Sequence, residues 1–172
     1  MNRVIETIIN RVSCRSYSEK RVPASKLNQI LEAGKYAPSG MNRQICNILL
    51  IKNKKVLENV RNALKEKFGR DCLYGANTLC LVYGKRDEPL VVKDASCVLE
   101  NMFIAATALK IDSCWINQLD DLLSDPKYTK IQKRLGLTDE DLVVGSIILG
   151  YRKEETEIPP KPRKEDFIKI IK

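Results

Sequence analysis

The sequence predicts an α+β or α/β sandwich. Three features carry that reading. Short runs rich in Ile, Leu and Val, bounded by charge or glycine, read as buried strands. Apolar residues recurring every three or four positions read as helices. The two kinds of segment interleave along 172 residues, a length that buries one substantial core. Neither an internal repeat nor a low-complexity linker divides the chain, so one domain over 1–172 is expected.

The elements follow in order. Residues 2–12 place Val4, Ile5, Ile8, Ile9 and Val12 at helical spacing, an amphipathic first helix. RVSCRSYSEKRVP is polar and basic and reads as a loop. Beyond Pro23, Leu27, Ile30, Leu31 and the Ala33/Gly34 pair share one side of a second helix. Pro38 stops that helix, because the residue before a proline is pushed out of the α region. CNILLIK reads as a buried strand. Residues 54–68 alternate charge with Val56, Val60, Leu64 and Phe68, a third helix. NTLCLVYGK is a second strand ending at Gly84.

Over 91–110, Val91, Ala95, Val98, Met102, Ala105/Ala106 and Leu109 recur at helical spacing, and Leu99 and Phe103 widen the stripe. So apolar a helix belongs in the middle of the molecule or at a dimer interface. IDSCWINQL reads as a strand or extended turn. Residues 125–135 are helical up to Gly136, TDED is a turn, and LVVGSIILGY is a clear strand. The tail RKEETEIPPKPRKEDFIKIIK is punctuated by proline and extended.

Composition excludes several classes. Hydrophobic residues make up 44% and charged residues 30%, which describes a folded chain rather than a disordered one. LVVGSIIL falls far short of the ~20 residues a bilayer span needs. MNRVIETIINRV mixes charge into its apolar positions, unlike a signal peptide, so a cytoplasmic location and no membrane partner are expected. The net charge of +8 favours anionic partners, although most basic residues are spread as a solvated surface would have them. With no histidine, Ser-His-Asp triads, Cys-His dyads and His-ligated metals are excluded. The cysteines at 14, 46, 72, 80, 97 and 114 include no C-x-x-C pair, and they read as reduced thiols, several in the core. Aromatics are only 6% and no basic recognition helix is present, so no nucleic-acid partner is expected.

Three stretches hold candidate binding groups. Arg11 and Arg15 bracket Ser13, two guanidinium groups and a hydroxyl that suit a phosphate. They also suit the negative end of a helix, which is the plainer reading of that stretch alone. Lys161 and Arg163, two apart in an extended segment, point to one side and supply further charge. In YAPSGMNRQ, Pro38 and Gly40 set backbone shape, while Ser39, Asn42 and Gln44 bring hydroxyl and amide groups. Such groups suit the edge of a neutral heterocycle with alternating N–H and C=O, or else an elaborate helix cap. The lone Trp115 reads as core.

Taken in order, R-x-S-x-R-x-Y from Arg11, A-P-S-G-M-N-R-Q over 37–44, D-A-S, E-N-M, A-A and L through the long helix, then S-C-W-I, L-G-Y and K-P-R resemble the FMN-dependent nitroreductase family over nearly the whole chain. The resemblance implies a three-layer α-β-α sandwich around a central mixed, mainly antiparallel sheet. It implies an intertwined homodimer with FMN at the subunit interface. By motif, Arg11, Ser13 and Arg15 would hold the phosphate and ribityl region, with Arg15 towards the pyrimidine edge, and Lys161 and Arg163 would add phosphate contacts. Pro38, Ser39, Gly40, Asn42 and Gln44 would meet the isoalloxazine, some from the partner, and backbone N–H groups of Asn117 and Gln118 would face N5 and O4.

The implied activity is ping-pong hydride transfer from NADH or NADPH through FMN to a small-molecule acceptor such as a nitro compound or quinone. It needs no catalytic side chain and no metal. A non-catalytic flavin-storage or sensing protein is the alternative. Three departures from the family pattern stand out: Ile45-Cys46 where Pro-Trp is common, Asn117-Gln118 where glycines are common, and a short 66–90 segment with no room for a helical lid.

Overall fold

The computed structural model describes residues 1–159 and 162–171. Its regular elements are α1 (Arg3–Asn10), α2 (Ala24–Lys35), β1 (Asn47–Ile51), α3 (Lys54–Phe68), β2 (Thr78–Lys85), α4 (Val91–Ala108), β3 (Asp112–Trp115), α5 (Gln118–Leu123), α6 (Thr129–Arg134) and β4 (Asp141–Gly150). The strands form one sheet in the order β1-β2-β4-β3, and every adjacent pair is antiparallel. The parallel component is a single bridge, Ser13 to Ser113, on the outer edge of β3.

The sheet is covered on both faces, which makes the three layers. Successive side chains on a strand point to opposite faces. Leu79 and Leu81 of β2 therefore pack with Leu57, Val60 and Leu64 of α3 and with Leu119 and Leu122 of α5. Cys80 and Val82 pack on the other face with Ile30 of α2 and Ala95, Leu99 and Met102 of α4. All four β2 residues are fully buried, so the strand reads as a continuous apolar run rather than an alternating one. Each fully buried Leu or Ile contributes about 1.5–3 kcal/mol relative to exposure, so β2 and β4 anchor the frame. Asn53 caps α3 by accepting the Val56 N–H at 3.1 Å.

Three segments differ from the sequence reading. INQL is not extended: β3 stops at Trp115 and α5 begins at Gln118. The loop RVSCRSY carries isolated bridges at Ser13 and Tyr17, which tie it to β3 and to Arg152. α1 meets α4, yet its apolar stripe is left largely open, and Val4, Ile5, Ile8 and Ile9 are 45–61% exposed. Phe167, Ile168, Ile170 and Ile171 of the tail are exposed as well. Between α3 and α4 the chain holds only β2 and turns, so no helix from that segment stands over the surface. Among the described residues, no helix is long and apolar enough to cross a membrane.

Candidate functional site

A cavity of about 860 Å³ opens between α2, β1, the start of α4 and the loop 36–46. Leu31, Ile45, Ile48, Leu50 and Val98 give it apolar walls, and Ser39, Asn42 and Gln44 give it a polar rim. Its size and mixed lining are those of a small-molecule site.

The loop owes its shape to a dense set of bonds. Residues Gly40–Asn42 form one 3-10 turn, and Met41, Asn42 and Gln44 hold φ of 53°, 55° and 51°. A left-handed backbone costs an ordinary residue roughly 1–2 kcal/mol, so the neighbours must impose it. Gly40 N–H donates to Asp94 Oδ1 and Oδ2 at 3.1 and 3.2 Å. Gln44 N–H donates to Ser39 Oγ at 3.0 Å, and Gln44 Nε2 donates to Asn42 Oδ1 at 3.2 Å. The Arg43 guanidinium pairs with Glu88 at 2.6 Å. A Cβ on Gly40 would stand 2.2 Å from Leu90 Cδ1, so only glycine brings this backbone so close to the start of α4. With those bonds made, the Ser39 hydroxyl hydrogen, the Asn42 amide hydrogens and the Gln44 side-chain carbonyl keep no partner among the described residues.

A second polar group lies at the outer edge of β3. Arg11 ends α1, with its guanidinium 5.9 Å from the centroid of the Phe103 ring. Ser13 is bridged to β3, and Arg15 is exposed. Among the described residues none of Arg11, Arg15 and Arg163 joins an ion pair, whereas Arg43, Arg61 and Arg152 all do. Trp115 stacks on Phe103 at 6.0 Å, as a core residue would, but Trp115 Nε1 and Ser113 Oγ are buried without a partner among the described residues. Ile116 continues the register, its N–H on the Ser146 carbonyl at 2.9 Å and its carbonyl accepting the Ser146 hydroxyl at 2.7 Å. Asn117 then opens α5 with no side-chain cap, and Gln118 is its first residue, where helical N–H groups have no partner within the helix.

The chain thus gathers the predicted residues into two groups. Pro38, Ser39, Gly40, Asn42 and Gln44 share the cavity loop, next to β1. Arg11, Ser13 and Arg15, with Asn117 and Gln118, lie beside β3. β1 and β3 are the two outer strands, about 14 Å apart at three strand spacings. Asn47 is level, through Tyr83, with Val143 of β4, while Ser113 is paired with Leu149, roughly 20 Å farther along the strands. The phosphate-type group and the amide loop therefore sit at opposite corners of one sheet. Arg163 lies exposed on the tail, and Lys161 falls outside the described residues.

The sequence reading assigned no role to Asp94, Glu88 or Arg43, which hold the loop in place. The available signals were the acidic residue in the first turn of an otherwise apolar α4 and the arginine inside the loop itself.

The cysteines are all free thiols: four are buried, and Cys46 and Cys97 are half-buried. Cys46 lines the cavity, and burial, helped by nearby Asp94, pushes its thiol up to about 11. It is therefore a neutral filler at ordinary pH.

Known proteins share this fold. An Archaeoglobus fulgidus protein named as a candidate NADH dehydrogenase/NAD(P)H nitroreductase is 26% identical over 162 residues, covering 91% of this chain and 90% of that one. A Bacteroides fragilis nitroreductase solved with bound FMN superposes with a TM-score of 0.93 at 36% identity, covering the whole of both chains. A Desulfitobacterium hafniense nitroreductase, also solved with bound FMN, gives 0.87 at 26% identity, again over both whole chains. The model of the Nitroreductase family matches residues 8–151, from the last turn of α1 to the end of β4. That span takes in both polar corners and the sheet between them, and the chain belongs to the nitroreductase family.

Proposed function

We propose that residues 1–172 form one FMN-binding unit, that two copies share each site, and that the assembly is a cytoplasmic NAD(P)H-dependent oxidoreductase. Its acceptor is a small nitro compound, quinone or similar oxidant, used in a ping-pong cycle. The observation that carries the reading is the polar loop 38–44 on the rim of an apolar cavity of about 860 Å³.

The residues fit the group. FMN pairs a charged phosphate with an uncharged hydrogen-bonding ring edge. Among the described residues, the chain offers arginines without an ion pair at one corner and hydroxyl and amide groups without a partner at the other. Bound FMN supplies the two-electron centre. The chain's own residues bind and orient. Arg11 and Arg15 set positive charge around the Ser13 hydroxyl, and Lys161 and Arg163 add to it. The Ser39 and Asn42 donors and the Gln44 acceptor meet the ring edge. The N–H groups at Asn117 and Gln118 are fixed by the helix start and need no reorganisation to stabilise negative charge as it develops. None of these tasks needs a histidine.

The second copy follows from placement. The corners lie too far apart, and on opposite strands, to serve one small ligand within one chain. The exposed stripe of α1 and the apolar tail give the second copy something to cover. β3 already carries a bridge on its outer side, so the free edge of β1 is the place where an extended tail can add as a strand.

The deciding experiment is the visible spectrum of the purified protein, followed by anaerobic titration with NADH and NADPH. A flavin spectrum that bleaches supports the oxidoreductase. A yellow protein that neither nucleotide bleaches would be a flavin-storage or sensing protein, and a colourless one would defeat both readings. Replacing Arg11 and Arg163 together with alanine should weaken FMN binding at least about tenfold, the loss expected from charge-assisted hydrogen bonds. Unchanged binding would remove those residues from the phosphate site.

A further inference from the structure

We infer that Asp94 is a positioning residue, a buried carboxylate that fixes the Gly40 N–H and through it the shape in which Ser39, Asn42 and Gln44 face the cavity. The inference deepens the FMN reading of that cavity and rests on it for the identity of the ligand.

Asp94 lies on the inward stripe of α4 with Val91, Ala95, Leu99 and Met102, where an apolar side chain would pack without penalty. It is only 6% exposed. A buried carboxylate is costly unless its bonds offset the lost hydration. No cation stands within ion-pair distance among the described residues, so the first turn of α4 and the loop must supply the offset. The carboxylate bonds to none of its own helix's N–H groups. Both oxygens converge on one outside donor, Gly40 N–H, at 3.1 and 3.2 Å. That donor comes within reach only because Gly40 has no Cβ to strike Leu90.

Three left-handed residues follow within four positions: Met41, Asn42 and Gln44. A backbone so far from its preferred basins relaxes unless it is pinned at its start. Asp94 is the pin at the start, the Ser39 to Gln44 bond closes the loop, and the Arg43 to Glu88 pair holds its far side. Asp94 also lines the cavity that these residues rim, so a shift of its carboxylate passes to the binding groups in a single hydrogen bond.

The test compares Asp94→Asn, which keeps one acceptor oxygen at the right length, with Asp94→Ala, which keeps none. Hydrogen exchange is measured on the flavin-free protein, and FMN affinity and visible circular dichroism on the loaded protein. In Asp94→Ala the Gly40 amide should exchange at least about tenfold faster, FMN should bind at least about tenfold more weakly, and the flavin dichroism should change; Asp94→Asn should stay within about threefold of the parent in both rates and affinity. If Asp94→Ala does not fold by far-ultraviolet circular dichroism, Asp94→Ser, too short to reach Gly40, takes its place. Unchanged exchange at Gly40 in Asp94→Ala would overturn the inference. So would an Asp94→Asn as damaged as Asp94→Ala, because charge rather than bond geometry would then be at work. If the parent protein binds no FMN, the ligand reading fails while the exchange measurement still decides the role of Asp94.

Discussion

Asp120 sits in the first turn of α5 with its Oδ1 buried and without a hydrogen-bond partner among the described residues. Burial pushes its carboxyl from 3.8 up to about 6, with Asp121 adding to the shift. Well below 3.8 the group is protonated in both the folded and the unfolded chain and costs nothing. As pH rises towards 6 the unfolded chain ionises first, so folding stability falls across that window and stays lower above it. Asp120→Asn removes the penalty. The variant should gain stability over the parent at pH 7 by on the order of 1 kcal/mol, once solvent screening is allowed for, and most of that gain should be gone near pH 4. Urea unfolding at both pH values checks this, and a gain independent of pH would contradict it. Asp120 carried no signal in the sequence, and Asp94 stood out only within the D-A-S stretch of an otherwise apolar helix. An aspartate in a helix reads as surface, and only packing reveals that one has lost its water and the other has turned it in for a backbone N–H. The groups of the loop were legible because Ser39, Asn42 and Gln44 crowd a segment that needs only a stop.

At the level of elements, period decided what could be read. The buried strands and the long helices gave their apolar spacing directly, and their observed bounds fall within a few residues of those expected. α5 was missed because six residues hold too few turns to show a period, and Asn117 opens it without a side-chain bond that would mark the start. α1 was legible as amphipathic, but not the fact that its apolar side stays about half exposed on its own chain. That face predicts a separable effect. Ile8→Asp should leave the fold of each chain intact, because Ile8 is 45% exposed within it, and should weaken the proposed dimer at least about tenfold by burying a charge in its interface. Sedimentation at micromolar concentration checks it, and a dimer as tight as the parent's would place the interface elsewhere.

For the whole molecule, the sheet that orders the chain also separates its two polar corners. The order of motifs along the sequence was legible, but their separation was not, because it depends on the strand order β1-β2-β4-β3, which no local pattern encodes. The separation makes a strict prediction about mixtures. Arg11→Ala damages one corner and Asn42→Ala the other. Each variant alone should bind FMN poorly, while an equimolar mixture allowed to exchange subunits should regain about a quarter of the parent's sites, because each mixed pair holds one intact site and one doubly damaged site. Flavin stoichiometry after gel filtration reads the outcome directly. If the mixture recovers nothing, both corners of a site come from one chain.

The outward-facing stripe of α1 has a further consequence for the lifetime of the folded molecule. If the proposed second copy covers Val4, Ile5, Ile8 and Ile9, the folded chain is only as durable as that meeting is frequent. Its melting temperature should therefore climb with protein concentration, and dilution alone should act on it as a mild denaturant.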